Sequence, residues 1–313
     1  MVLELVSRGL SRANRAHKRE IEQIVERRTA EMYADFRASH IAQLAGKRGI
    51  WAPGAGNPII GAVFPATDMA QSALQRSLET RSGRLFEALA REIGDLSYEV
   101  STEIPTVELT DAQTKAITAL MLHLDDGWTR EVEPAMIADA QDRAPRDYQE
   151  AIQQLHLGMP SRTVDADFLD EADVHHLVEI KASGKLNKSG ARAEKLKLIS
   201  TSVGHINHLR SQDVGVQLDH RVDYHLCTAL DGDLRSVSPF VRQYWAEDEL
   251  MLGGDFWRFV TQLDDGPQVV WRTVRRVAQD VGRRALDEII SEAFPPTLDV
   301  PDDEDPEIDE LEI

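Results

Sequence analysis

Three residues whose types and spacing suit phosphate-ester hydrolysis lie in one short stretch: Asp165, then Glu179 and Lys181. Val178, Ile180 and Ala182 alternate with Glu179 and Lys181, the period of a strand with one apolar and one charged face. A carboxylate and an ammonium beside a core are costly unless each has a partner. Upstream, Val164, Ala166 and Phe168 alternate with Asp165 and Asp167, which predicts a second strand joined to the first by a short polar turn over 169–174. A turn centred on Ala172 sets Asp165 directly across from Glu179, and cross-strand neighbours on one face are in contact. Asp165, Glu179 and Lys181 then converge. Two carboxylates make a hard oxygen site suited to Mg²⁺, and such an ion polarises a phosphate and activates a water for in-line attack. Lys181 would hold that water or stabilise developing negative charge. Asp167 competes with Asp165 as the first ligand. Pairing across the turn favours Asp165, with Asp167 facing Leu177, and a bulge would reverse the choice.

The segment after Lys181 is basic. Residues 183–211 hold Lys185, Lys188, Arg192, Lys195, Lys197 and Arg210 against the single acid Glu194, within a chain of net charge −19. A local cationic run in an acidic protein points to phosphate backbones. Leu196, Ile199, Val203, Ile206 and Leu209 form a helical stripe, so a basic-faced helix is expected beside the charged strand face. Lys185, Asn187, Lys188, Arg192 and Lys195, in the loop and helix start past the strand, are the candidate DNA contacts, some reading bases and some holding phosphates.

Asp165…Glu179-Ile180-Lys181, the two-strand setting and the polar 182–187 loop resemble the active-site signature of the PD-(D/E)xK nuclease superfamily, which includes most type II restriction endonucleases. Thr163-Val-Asp-Ala-Asp-Phe168, Lys181-Ala-Ser-Gly-Lys185 and the later Gly254-Asp-Phe-Trp257 are similar to the group that cuts sites with a GGNCC centre. That resemblance covers roughly residues 120–290, and it implies a helical dimerisation region ahead of the nuclease fold. Val164 stands where the superfamily's name has Pro. His175 and His176 could join the aspartates around a metal, but they fall on opposite strand faces and the chain lacks the spacing of zinc sites, so zinc is not expected.

The supporting elements are read from periodicity. Residues 2–45 contain no Pro and repeat Ile21, Ile24, Val25, Met32, Phe36 and Ile41 at helical intervals. Arg8, Arg12, Arg15, Lys18 and Arg19 form a basic face there, solvated or touching flanking phosphates. Residues 46–65 are rich in Pro and Gly and read as a loop without a phosphate-binding signature. Helices are expected over 68–93, over 109–124 starting at Thr110-Asp111, and over 145–157. Glu131 and Glu133 could add a metal-orienting carboxylate. Residues 216–230 read as a strand, 237–245 as another strand or edge, and 255–263 and 269–294 as closing helices. Trp257, Phe259, Val270, Trp271, Val274 and Val277 would pack these helices on the sheet. The lone Cys227 excludes an internal disulfide and fits a reducing compartment. The segment 299–312 holds nine of the acids and no Lys or Arg, a solvating tail. No apolar run is long enough for a bilayer, and a cytoplasmic location without membrane contact is expected.

These readings predict an α/β fold, a central mixed sheet flanked by helices in the manner of restriction endonucleases, with a mainly helical N-terminal domain. The expected divisions are 1–140 (helical, dimerisation), 141–296 (nuclease) and 297–313 (acidic tail). The expected function is a Mg²⁺-dependent type II restriction endonuclease acting on double-stranded DNA as a homodimer, since two strands of a palindrome call for two sites about a two-fold axis. A repair or junction-resolving nuclease and a non-catalytic DNA-binding protein are the alternatives.

Overall fold

The computed structural model describes residues 2–47, 66–127, 161, 163–212, 221–230 and 232–294. Its elements are α1 (Val2–Ala45), α2 (Ala66–Gly94), β1 (Glu99–Glu103), α3 (Asp111–Asp125), β2 (Thr163–Leu169), β3 (Val174–Lys181), α4 (Lys188–Gln212), β4 (Arg221–Thr228), α5 (Pro239–Tyr244), β5 (Leu250–Leu252), α6 (Gly254–Thr261), α7 (Gly266–Val277) and α8 (Arg283–Ala293). The strands form one mixed sheet in the order β1-β2-β3-β4-β5. β1, β2 and β3 are antiparallel, whereas β3, β4 and β5 are parallel. Parallel neighbours need a crossover, and α4 supplies it between β3 and β4.

The β2–β3 turn is built by Asp170. Its Oδ1 accepts the backbone N–H groups of Ala172 at 2.8 Å and Val174 at 3.0 Å. Asp173 adopts φ 58°, a left-handed conformation that Asp tolerates better than most residues. The resulting register pairs Ala166 with Val178 and Asp167 with Leu177. One sheet face therefore carries Asp165, Asp167, His175, Leu177, Glu179 and Lys181. The core beside it joins Leu177, Tyr224 and Leu226 to Leu198, Ile199, Val203 and Ile206 of α4, with Ile117, Leu120 and Leu124 of α3 behind. On the other face Phe168 is fully buried between Tyr98 and Phe259, with ring centroids 5.4 and 5.5 Å away. A Cβ on Gly94 would stand 2.3 Å from the Phe168 ring, so only glycine allows the end of α2 to come this close. Trp257 is a core anchor, its indole N–H donating to the Ala229 carbonyl at 3.2 Å.

The described residues divide into two compact units, one drawn from 1–29 and 79–275 and the other from 30–78 and 276–313. The expected boundary near residue 140 lies outside the described residues. Leu85, Phe86, Leu89 and Ile93 of α2 and Ile117, Met121 and Leu124 of α3 are buried, and they belong to the unit that holds the sheet. The second unit has its own small core of Phe36, Leu74 and Ile289.

Two elements differ from expectation. β1 was not foreseen; it is a short edge strand with an irregularity between Ser101 and Glu103. Residues 237–245 are not a strand. Ser238 caps α5, its side chain accepting from the Val241 N–H at 3.2 Å, and Pro239 occupies the first turn. The edge of the sheet is β5 instead. The expected 145–157 helix, most of the 46–65 loop, Glu131, Glu133 and the acidic tail lie outside the described residues. Among the described residues no helix is long and apolar enough to cross a membrane.

Candidate active site

Beyond the Ala166–Val178 pair the register sets Asp165 across from Glu179. Here a carboxylate takes the place of a ladder carbonyl: Asp165 Oδ2 accepts the Ile180 N–H at 2.7 Å. Glu179 is buried to 4 % exposure and has an ammonium on each oxygen, Lys181 Nζ at 2.6 Å from Oε1 and Lys197 Nζ at 2.7 Å from Oε2. Lys181 also pairs with Glu194 at 3.1 Å. Glu194 and Lys197 stand three residues apart on α4 and so face the same side of the helix.

Charge and burial oppose one another across this group. Burial, then the Glu179 charge, raise the Asp165 carboxyl above its ordinary value, against the Ile180 N–H and the two lysines. Burial also acts to raise Glu179, but Lys181 and Lys197 outweigh it and hold Glu179 below the usual carboxylate range. Lys181 is raised despite its burial, because Glu179, Glu194 and Asp165 all favour its charged form. Glu194 is raised by burial and by Glu179. Glu87 of α2 is raised by burial and by the charge of Asp165. One helical turn on, Arg91 donates to the Asp165 carbonyl at 3.3 Å.

The structure thus brings together the three sequence-predicted residues Asp165, Glu179 and Lys181, and adds Lys197, Glu194, Glu87 and Arg91. The sequence places Lys197 and Glu194 only in a basic run and does not single out Glu87 or Arg91. The i, i+3 spacing of Glu194 and Lys197 is the signal that was available for their sharing one helix face. Asp167 is kept apart: it faces Leu177 and its Oδ2 meets His175 Nδ1 at 2.9 Å.

The candidate DNA contacts separate. Lys185 and Lys188 are exposed. Asn187 caps α4, its Oδ1 accepting from Gly190 N at 2.8 Å and Ser189 Oγ at 2.9 Å. Arg192 is half-buried against Asp125, Nε lying 3.1 and 3.2 Å from the two oxygens. Lys195 is corrected: its side chain is fully buried, donating to Tyr224 Oη at 2.9 Å and to Glu249, so it has no access to a phosphate. Among the basic residues of α1, Lys18 pairs with Asp265 at 2.5 Å, and the side chains of Arg8 and Arg12 lie outside the described part.

Among the described residues, the donor set around Asp165 and Glu179 is carboxylate oxygen with ammonium neighbours, without imidazole or thiolate. Hard oxygens of this kind fit Mg²⁺ better than a softer transition ion. Asp165 and Glu179 would hold the cation, which would compete with Lys181 and Lys197 for the Glu179 oxygens. A scan against protein-family models and a search of curated proteins found no match to this chain.

Proposed function

We propose that this protein is a Mg²⁺-dependent endonuclease of the PD-(D/E)xK kind that hydrolyses phosphodiester bonds in double-stranded DNA at a short specific site, as type II restriction enzymes do. The observation that carries the reading is the convergence of Asp165, Glu179 and Lys181 at a break in the β2–β3 ladder, with α4 laid across them. A mixed sheet whose first three strands are antiparallel and whose β3–α4–β4 crossover borders the charged residues supports the finer fold assignment.

Asp165 and Glu179 would hold the metal ion. When bound there, Mg²⁺ supplies Lewis acidity toward the scissile phosphate and a more acidic water. Lys181, held in its charged form, donates to the attacking oxygen or to the phosphate as negative charge develops. Lys197 keeps Glu179 ionised. Glu194 restrains the Lys181 ammonium, and the Ile180 N–H fixes the rotation of the Asp165 carboxylate. Lys185 and Lys188, exposed just past β3, are placed to meet the backbone phosphates.

The test is a digest of mixed plasmid DNA with Mg²⁺, mapped by sequencing the ends. Fixed fragments with a common end sequence support the proposal. Structure-selective nicks would point to a junction or repair nuclease, and metal-independent binding without cleavage to a non-catalytic protein.

A further inference from the structure

A second set of metal-ligating side chains stands on the same sheet face, one strand step from Asp165. Asp167 of β2, His175 of β3 and His205 of α4 each place one donor atom within 4.8 Å of the other two. Asp167 and His205 are buried, at 4 % and 2 % exposure. Their hydrogen bonding is incomplete in a telling way. Asp167 Oδ2 meets His175 Nδ1, while Asp167 Oδ1 is buried without a partner. His205 Nδ1 is 2.8 Å from the Pro105 carbonyl, which can only accept, so this nitrogen carries the proton. His205 Nε2 is then a bare lone pair, and it too is buried without a partner. Orphaned buried polar atoms are rare because each carries its full desolvation penalty. A histidine whose second nitrogen donates to a backbone carbonyl is the usual preparation of a metal ligand. His208 stacks beside His205 with ring centroids 6.4 Å apart, outside the donor group.

We propose that Asp167, His175 and His205 bind a divalent transition cation of the zinc type, which ties β2, β3 and α4 together. Two imidazoles and one carboxylate with a fourth position for water are a zinc donor set, whereas Mg²⁺ disfavours imidazole. The two histidine neighbours 175 and 176 do fall on opposite faces, as their spacing requires, but His175 finds its partner histidine on α4 rather than in its own strand. The bound cation would lock α4 against the strands and thereby set Glu194 and Lys197 opposite Glu179 and Lys181.

The test uses the full-length protein, stripped with EDTA and titrated with Co²⁺ alone and then Zn²⁺ alone, in excess Mg²⁺ to mask the carboxylate site. The expected result is a single equivalent bound, a visible Co²⁺ absorption band that Zn²⁺ removes, and a rise in Tm with Zn²⁺. Asp167→Asn and His205→Gln are expected to weaken binding by more than the roughly 10–100-fold that loss of a merely supporting contact brings, and Asp165→Asn to leave it unchanged. X-ray absorption at the zinc edge of the wild-type protein, independent of any variant's folding, is expected to show an N/O shell with imidazole scattering. Absence of stoichiometric binding, binding lost in Asp165→Asn, binding retained in folded Asp167→Asn and His205→Gln, or a shell without imidazole would overturn the assignment.

Discussion

Glu179 is the residue around which the charged cluster is organised, because both of its oxygens carry an ammonium. The two lysines are not equivalent. Lys181 shares its strand face and borders Asp165, whereas Lys197 reaches over from α4 to Oε2, where it would compete with a cation. Lys181→Ala is expected to lower the cleavage rate about 10²–10³-fold, the usual consequence of losing a group that acts on the transition state, with DNA affinity retained. Lys197→Met is expected instead to lower the Mg²⁺ concentration needed for half-maximal cleavage. Single-turnover rates across a Mg²⁺ series separate the two, and an equal loss of rate in both variants would refute this division of roles. Asp165, Glu179 and Lys181 were legible in the sequence because a period of two and a short polar turn fix both register and face. Glu87, Glu194 and Lys197 were not: the i, i+3 spacing puts Glu194 and Lys197 on one helix face, but nothing local states how a helix is phased against a sheet.

Lys195 is buried because of its phase on α4. A count of basic residues marks it as part of a cationic run, yet it lies four residues before Ile199, on the apolar stripe of α4, and that spacing was the overlooked signal. Its ammonium sits between Tyr224 and Trp245, 4.7 and 4.9 Å from their ring centroids, and is bound by Glu249. Burial lowers its pKa, and Glu249 opposes the shift. Removing one member of such a pair strands the other, so Glu249→Ala is expected to destabilise the fold by about 3–5 kcal/mol, read by urea unfolding. Lys195→Met with Glu249→Leu is expected to be milder. Lys185→Ala and Lys188→Ala should leave stability alone but each reduce the salt dependence of DNA binding by about one phosphate's worth; unchanged salt slopes would remove both from the DNA interface.

The opposite sheet face carries a different load. His225 of β4 has its pKa lowered to about 4, by burial first and by the neighbouring His176 second. The folded state therefore prefers the neutral ring. Stability from this group is fully present above the unfolded value of 6.5 and is lost progressively as pH falls from there to about 4. The shift corresponds to about 3 kcal/mol at the acid end. Unfolding free energies measured from pH 7 to pH 4 should fall more steeply for the wild type than for His225→Gln, and parallel curves would contradict this. α5 and β1 show the same dependence of an element on its surroundings. Ser238-Pro239 is a helix start that outweighs the alternation around it, and β1 is a strand only because β2 offers it an edge.

Each chain carries one Asp165–Glu179–Lys181 group. On the proposed endonuclease reading, one such group would attack one phosphate of one strand at a time, so cutting both strands in a single encounter would call for two chains related by a two-fold axis. The consequence can be measured without knowing the dimer face. When wild-type protein is mixed with an excess of Lys181→Ala protein and allowed to exchange subunits, most active assemblies carry one competent site. Supercoiled plasmid should then accumulate as nicked circles, while wild type alone yields linear product with little nicked intermediate. Denatured, end-labelled fragments would show the cut confined to one strand per site. If the mixture linearises plasmid directly, a single site must cut both strands in turn, and the chain works as a monomer that turns over on its DNA.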